Sequence, residues 1–149
     1  MKKIVVFLMS IFLMHLGNAM GLEQDFQSSS WIVYRNSNAM TDKVYCLAVL
    51  KDRPYISARS HSFTVDASTR GGVRNYTIRI DDYPAMPMQF PNHIEREVNA
   101  VIFKNEFNLL LNANRLRVQI LTILNSVIDE DIDLTGFSQS IEYMRENNC

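Results

Sequence analysis

The chain has 149 residues, 47% of them hydrophobic and 21% charged, with 15 basic and 16 acidic side chains for a formal charge of −1. That length suffices for one domain with a real core. The even charge balance gives no electrostatic case for nucleic acid or an anionic membrane surface, and two cysteines are too few for a thiolate metal centre.

The first segment reads MKKIVVFLMSIFLMHLGNAMG. Lys2 and Lys3 precede an apolar run over residues 4–16, broken only by Ser10 and His15, and Gly17 and Ala19 stand at the −3 and −1 positions of a cut after Ala19. This three-part pattern predicts a secretory signal peptide over 1–19, with a cut after Gly21 meeting the same small-residue rule. The run of thirteen is short of the roughly twenty apolar residues that span a bilayer. No later run is longer, so the mature chain is expected to be periplasmic or secreted, with no stable membrane insertion. Cleavage removes two lysines and leaves 13 basic against 16 acidic residues, a formal charge of −3. Ten of those bases are arginine, which favours planar, bidentate contacts.

Residues 20–30 are polar and unpatterned and read as a flexible mature N-terminus. Residues 31–149 read as a single β-rich domain. SWIVYRN is a β-rich run, with Trp31, Val33 and Arg35 on one face and Ile32 and Tyr34 on the other. NSNAMTD is a turn cluster. KVYCLAVL is apolar on both faces, as a central strand would be, and KDRPY breaks it. ISARSHSFTVDA reads as one extended segment, followed by a turn in STRGGV. RNYTIRIDD alternates: Arg74, Tyr76, Ile78 and Ile80 oppose Asn75, Thr77 and Arg79, so one face is wet. Short strands joined by turns argue for an antiparallel sandwich.

YPAMPMQFPN holds three of the four prolines and reads as a loop with an extended edge piece. REVNAVIF fits a strand or a helix start, and KNEFNLLLNAN a short helix with Phe103, Phe107, Leu110 and Leu111 on one side. RLRVQILTIL alternates with Leu116, Val118 and Ile120 inward. SVIDEDIDL sets Ile128, Ile132 and Leu134 against Asp129, Asp131 and Asp133, with Glu130 interrupting the apolar face. TGFSQSIEYMRENNC predicts a closing helix with Thr135 as N-cap and an apolar stripe of Phe137, Ile141 and Met144. The expected fold is mainly β, a sandwich or partly open barrel, with a short internal helix and a C-terminal helix.

Cys46 and Cys149 are the only cysteines, so one intramolecular pairing exists. In an oxidising compartment two thiols of an exported domain usually pair, the alternative being an intermolecular disulfide through the terminal Cys149. The bond would tie the last residue to an inner strand and keep the terminal helix from fraying. A redox role would favour a closely spaced pair, which is absent.

Chemistry-bearing patterns are few. His61 and His93 follow the signal segment without ligand-spaced partners, and no nucleophile, zinc or phosphate-loop motif occurs. No catalytic residue, cofactor or metal site is expected, and the protein reads as a non-enzyme. Asp129, Asp131 and Asp133 would stand on one strand face about 7 Å apart. Their oxygens suit calcium, but a flat row without a loop glycine does not wrap an ion, so the row reads as a solvated face. Partner-binding candidates are Met86, Met88 and Phe90 on the proline-stiffened loop over 83–91, and the arginines Arg59, Arg74 and Arg79, with Arg70 nearby in sequence. NYT at Asn75 fits a glycosylation sequon; beside a short lysine-led signal of bacterial type it reads as chance.

Trp31, the turn at Met40, Thr41 and Asp42, Cys46, the stretch DLTGFS over 133–138 and the terminal Cys149 together carry a resemblance. The chain resembles periplasmic accessory proteins associated with type VI secretion and, more distantly, invasion-associated locus B proteins. The likeness touches both ends of the mature domain and not the proline-rich middle. It implies a β-sandwich-like protein of the bacterial envelope without catalytic residues, which binds an envelope protein or a cell-wall component. The alternative expectation is an inhibitor or exclusion factor that blocks a periplasmic or phage-borne hydrolase.

Overall fold

The computed structural model describes residues 23–149. The signal peptide expected over 1–19 lies outside them. Nine strands and three helices follow in order: β1 (Glu23–Ser28), β2 (Trp31–Ser37), β3 (Val44–Leu50), β4 (Arg53–Arg59), β5 (Ser62–Asp66), β6 (Asn75–Ile80), α1 (His93–Val98), β7 (Ala100–Phe103), α2 (Phe107–Leu110), β8 (Arg115–Leu121), β9 (Val127–Asp133) and α3 (Phe137–Glu146). They form two antiparallel sheets, one ordered β1-β2-β3-β4-β5-β7 and a smaller one ordered β6-β8-β9. The mainly β fold with a C-terminal helix is as the alternation implies.

The core lies between the sheets and under α3. Inward residues alternate as the pleat requires: Tyr76, Ile78 and Ile80 on β6, and Leu116, Val118 and Ile120 on β8, are all buried. An aromatic cluster fills the centre. Trp31 packs against Phe137 at a centroid distance of 4.9 Å and against Phe63 at 5.8 Å, and Phe107 and Phe103 extend the group. The α3 stripe of Phe137, Ile141 and Met144 is fully buried, and the helix packs on β1, β2 and β3. Cys46 and Cys149 form a disulfide that joins β3 to the chain end beyond α3.

Several local expectations are corrected. Residues 23–28 of the supposed loose N-terminus are strand β1, paired along β2 from Ser28↔Trp31 to Glu23↔Arg35. Phe26 supplies the anchor by stacking on Tyr143 of α3 at 4.4 Å. KDRPY contributes only a two-residue turn before β4, and the segment after it is a hairpin, β4–β5, turning at Ser60 and His61. REVNAVIF is both helix and strand, because Asn99 adopts a left-handed conformation (φ 53°) that ends α1 and starts β7. The internal helix shrinks to α2, with Phe103 in β7. β3 is not buried on both faces throughout, since Tyr45 is exposed. Thr135 is not the N-cap of α3; Gly136 holds that position at φ 88° without a side-chain cap bond. A Cβ there would collide with the Ser28 carbonyl, so the approach of β1 to α3 requires glycine.

Glu130 resolves the irregularity in β9. It lies on the inward face beside Ile132, and its carboxylate accepts from Arg53 at 3.1 Å and Arg70 at 2.5 Å. A buried carboxylate needs such partners.

Candidate partner-binding surface

Residues 84–91 run along the outer edge of β6. Three backbone bonds pin them: Met86 N–H donates to the Ile78 carbonyl at 2.8 Å, and Gln89 and Tyr76 exchange bonds at 2.8 and 2.9 Å. Pro84, Pro87 and Pro91 restrict the backbone between and beyond these anchors. Pro91 is buried, and Met86 rests half-buried against the core. The other large side chains of this segment face water: Tyr83, Met88 and Phe90 are 72%, 57% and 71% exposed. The loop is therefore a fixed edge piece with an apolar rim.

Beside it lies the outer face of the smaller sheet. Register sets Thr77 beside Gln119 and Gln119 beside Asp129; one step along, Arg79 stands beside Arg117 and Arg117 beside Asp131. Two shallow grooves share Arg117. The first, about 560 Å³, is lined by Asp81, Asp82, Tyr83, Asn114 and Arg115. The second, about 380 Å³, has Ala85 of the loop as one wall, with Arg79 and Asp131 in its lining.

Each carboxylate of the acidic row has a protein donor. Asp131 takes both Nε and Nη2 of Arg115, at 2.6 and 2.5 Å, and this bond to Arg115 holds its carboxyl below the usual carboxylate range. Asp129 accepts from the Gln119 amide, and Asp133 accepts the Thr135 backbone N–H at 2.8 Å; hydrogen bonding to Thr135 holds the Asp133 carboxyl below the usual range. Asp81, in a left-handed conformation at the end of β6, accepts the N–H groups of Asn114 and Arg115. Among the described residues no group of three metal-ligating side chains converges.

The sequence-selected arginines do not form one patch. Arg79 lies in the second groove. Arg74, just before β6, donates to the side chain of Asn125 and the carbonyl of Ile123, and so fastens the β8–β9 hairpin tip. Arg59 ends β4, a strand of the larger sheet, whereas Arg79 belongs to the smaller one. Arg70 is committed to Glu130 and lies 4.0 Å over the Tyr55 ring. His61 sits in the exposed β4–β5 turn, and His93 pairs with Glu97 on exposed α1 at 3.2 Å; neither lines the two grooves.

Arg115 and Arg117 escaped the sequence reading as candidates. Their signal was present: with Leu116, Val118 and Ile120 inward, Arg115, Arg117 and Gln119 must stand outward. What the sequence lacked was the register that brings them against Arg79 and the aspartate row. A second exposed apolar group also went unread, at Ile123, Leu124 and Val127 around the hairpin tip.

Glu95 locks α1 to the fold. Its buried carboxylate accepts the N–H groups of Asn92 and Ile102 at 2.8 Å each and faces the Tyr76 hydroxyl. Burial, and then the Glu95 charge, push the Tyr76 phenol well above its usual range. In comparisons with known proteins, no family model, no curated protein and no solved structure matches the chain.

Proposed function

We propose that the chain is a non-catalytic, exported protein of the bacterial cell envelope that acts by binding a protein partner or a cell-wall component, in the manner of a secretion-accessory protein. The observation that carries this reading is the exposure of Tyr83, Met88 and Phe90 on a segment tied to β6 by three backbone bonds. Aromatic and methionine side chains supply much of the energy at protein contacts. A segment already ordered loses little conformational freedom when it docks. The disulfide suits an oxidising compartment, and the N-terminal segment has the composition of an export signal.

The same stiff rim favours a second reading, an inhibitor that inserts Met88 and Phe90 into the cleft of a periplasmic or phage-borne hydrolase. Affinity capture from a periplasmic extract, with purified cell wall as a parallel arm, tests both. The wild type should retain a partner that a Met88→Ala, Phe90→Ala variant of equal stability loses. Hydrolase activity in the captured partner, suppressed by the wild type, would select the second reading. Equal recovery by both proteins would reject the loop as the contact surface.

A further inference from the structure

We infer that the groove between β6 and β8 is a carboxylate-binding site that receives an acidic peptide segment of the protein partner, an inference that rests on the binding role proposed above.

Charge partners are unevenly shared around the groove. Four carboxylates lining the two grooves are satisfied from within the chain: Asp131 by Arg115, Asp129 by Gln119, Glu130 by Arg53 and Arg70, and Asp81 by two backbone N–H groups. Two guanidiniums are not. Arg117 approaches an oxygen of Asp131 only to 3.8 Å, and that oxygen already accepts from Arg115. Arg79 makes a long 3.4 Å bond to the Asp82 carbonyl, and its buried Nε has no partner among the described residues. These two arginines are direct neighbours across the β6–β8 ladder. Like charges so placed repel. An anion between them would relieve the repulsion and accept from both in the planar geometry that guanidinium favours.

The surroundings select the anion. Asp129, Glu130 and Asp131 border the same groove, and Asp81 and Asp82 the adjoining one. A dianion such as phosphate brings two negative charges among these five carboxylates, whereas a carboxylate brings one. The groove is open, and Ala85 of the proline-rich loop forms part of its wall, which fits a carboxylate borne on an extended chain.

The test uses protein purified with its disulfide intact. A short capped glutamate peptide, its glutamine counterpart and inorganic phosphate are titrated separately while the arginine Nε–H resonances are followed by NMR. The glutamate peptide should shift the Arg79 and Arg117 signals saturably, and Arg79→Gln or Arg117→Gln should weaken it about tenfold or more. Lys51→Gln, on an exposed turn, should leave binding unchanged. Arg79→Gln should also melt no lower than wild type, since it removes a like-charge contact. Equal shifts with the glutamine peptide, or unchanged affinity in both arginine variants, would overturn the site. Phosphate competing at equal concentration would overturn the carboxylate assignment. A captured partner lost by the Met88/Phe90 variant but kept by both arginine variants would refute this inference alone. Capture of nothing by wild type would refute the binding role, with the peptide titration still deciding the groove.

Discussion

Replacing Glu130 with glutamine should lower the stability of the protein by about 2–3 kcal/mol. The Glu130 side chain is 5% exposed, and its two oxygens bind Arg53 and Arg70, whose side chains are 30% and 27% exposed. Glutamine keeps the shape and removes the charge, so two largely desolvated guanidiniums lose their counter-ion. Breaking a fully buried pair costs about 3–5 kcal/mol. Here both arginines retain some water, and Arg70 keeps its stacking on Tyr55 and a 3.3 Å bond to the Asp66 carbonyl. The cost therefore falls at or just below the lower end of that range. For a domain of this size the loss corresponds to a drop in melting temperature of roughly 5–10 °C. Urea and thermal unfolding followed by circular dichroism would read it directly. A companion variant, Glu130→Met with Arg53→Met and Arg70→Met, should recover part of the loss, because apolar replacement of a whole buried ion cluster is often neutral. A loss below about 1 kcal/mol for Glu130→Gln, the scale of an exposed ion pair, would show that water reaches the carboxylate and would refute the reasoning.

Opening the disulfide should have the larger effect. Cys46 and Cys149 are 103 residues apart, and a loop of that length implies a destabilisation of about 4–5 kcal/mol in the chain-entropy model; urea midpoints of the paired serine variant against the oxidised wild type measure it. Acid should weaken the fold in a defined window. Asp131 and Asp133 titrate below their ordinary values, the first through its bond to Arg115 and the second through Thr135. A depressed folded value contributes stability that is present above the unfolded value, about pH 4, and is lost as pH falls through the folded one. Melting temperature should fall across that interval, and Asp131→Asn should flatten the fall; an unchanged acid profile in that variant would contradict the ion pair.

Pattern alone determined much of this protein. Period-two alternation identified β6, β8 and β9 with the correct inward residues, since one buried face forces every second side chain to be apolar. The spacing of Phe137, Ile141 and Met144 marked α3 for the same reason at helical period. Two cysteines permitted a single intramolecular pairing, and the structure forms it. Other features depended on partners distant in the chain. β1 is polar and has no pattern of its own; it exists because β2 pairs with it and Tyr143 receives Phe26. Glu130 reads as a defect until Arg53 and Arg70, 77 and 60 residues away, arrive beside it. The groove follows the same logic: each strand shows which residues face outward, but only the β6–β8–β9 register sets Arg79 against Arg117, and only the backbone bonds of Met86 and Gln89 to β6 fix the loop at its edge. Local sequence dictates which way a side chain points, and the folding of remote segments onto one another decides what it meets.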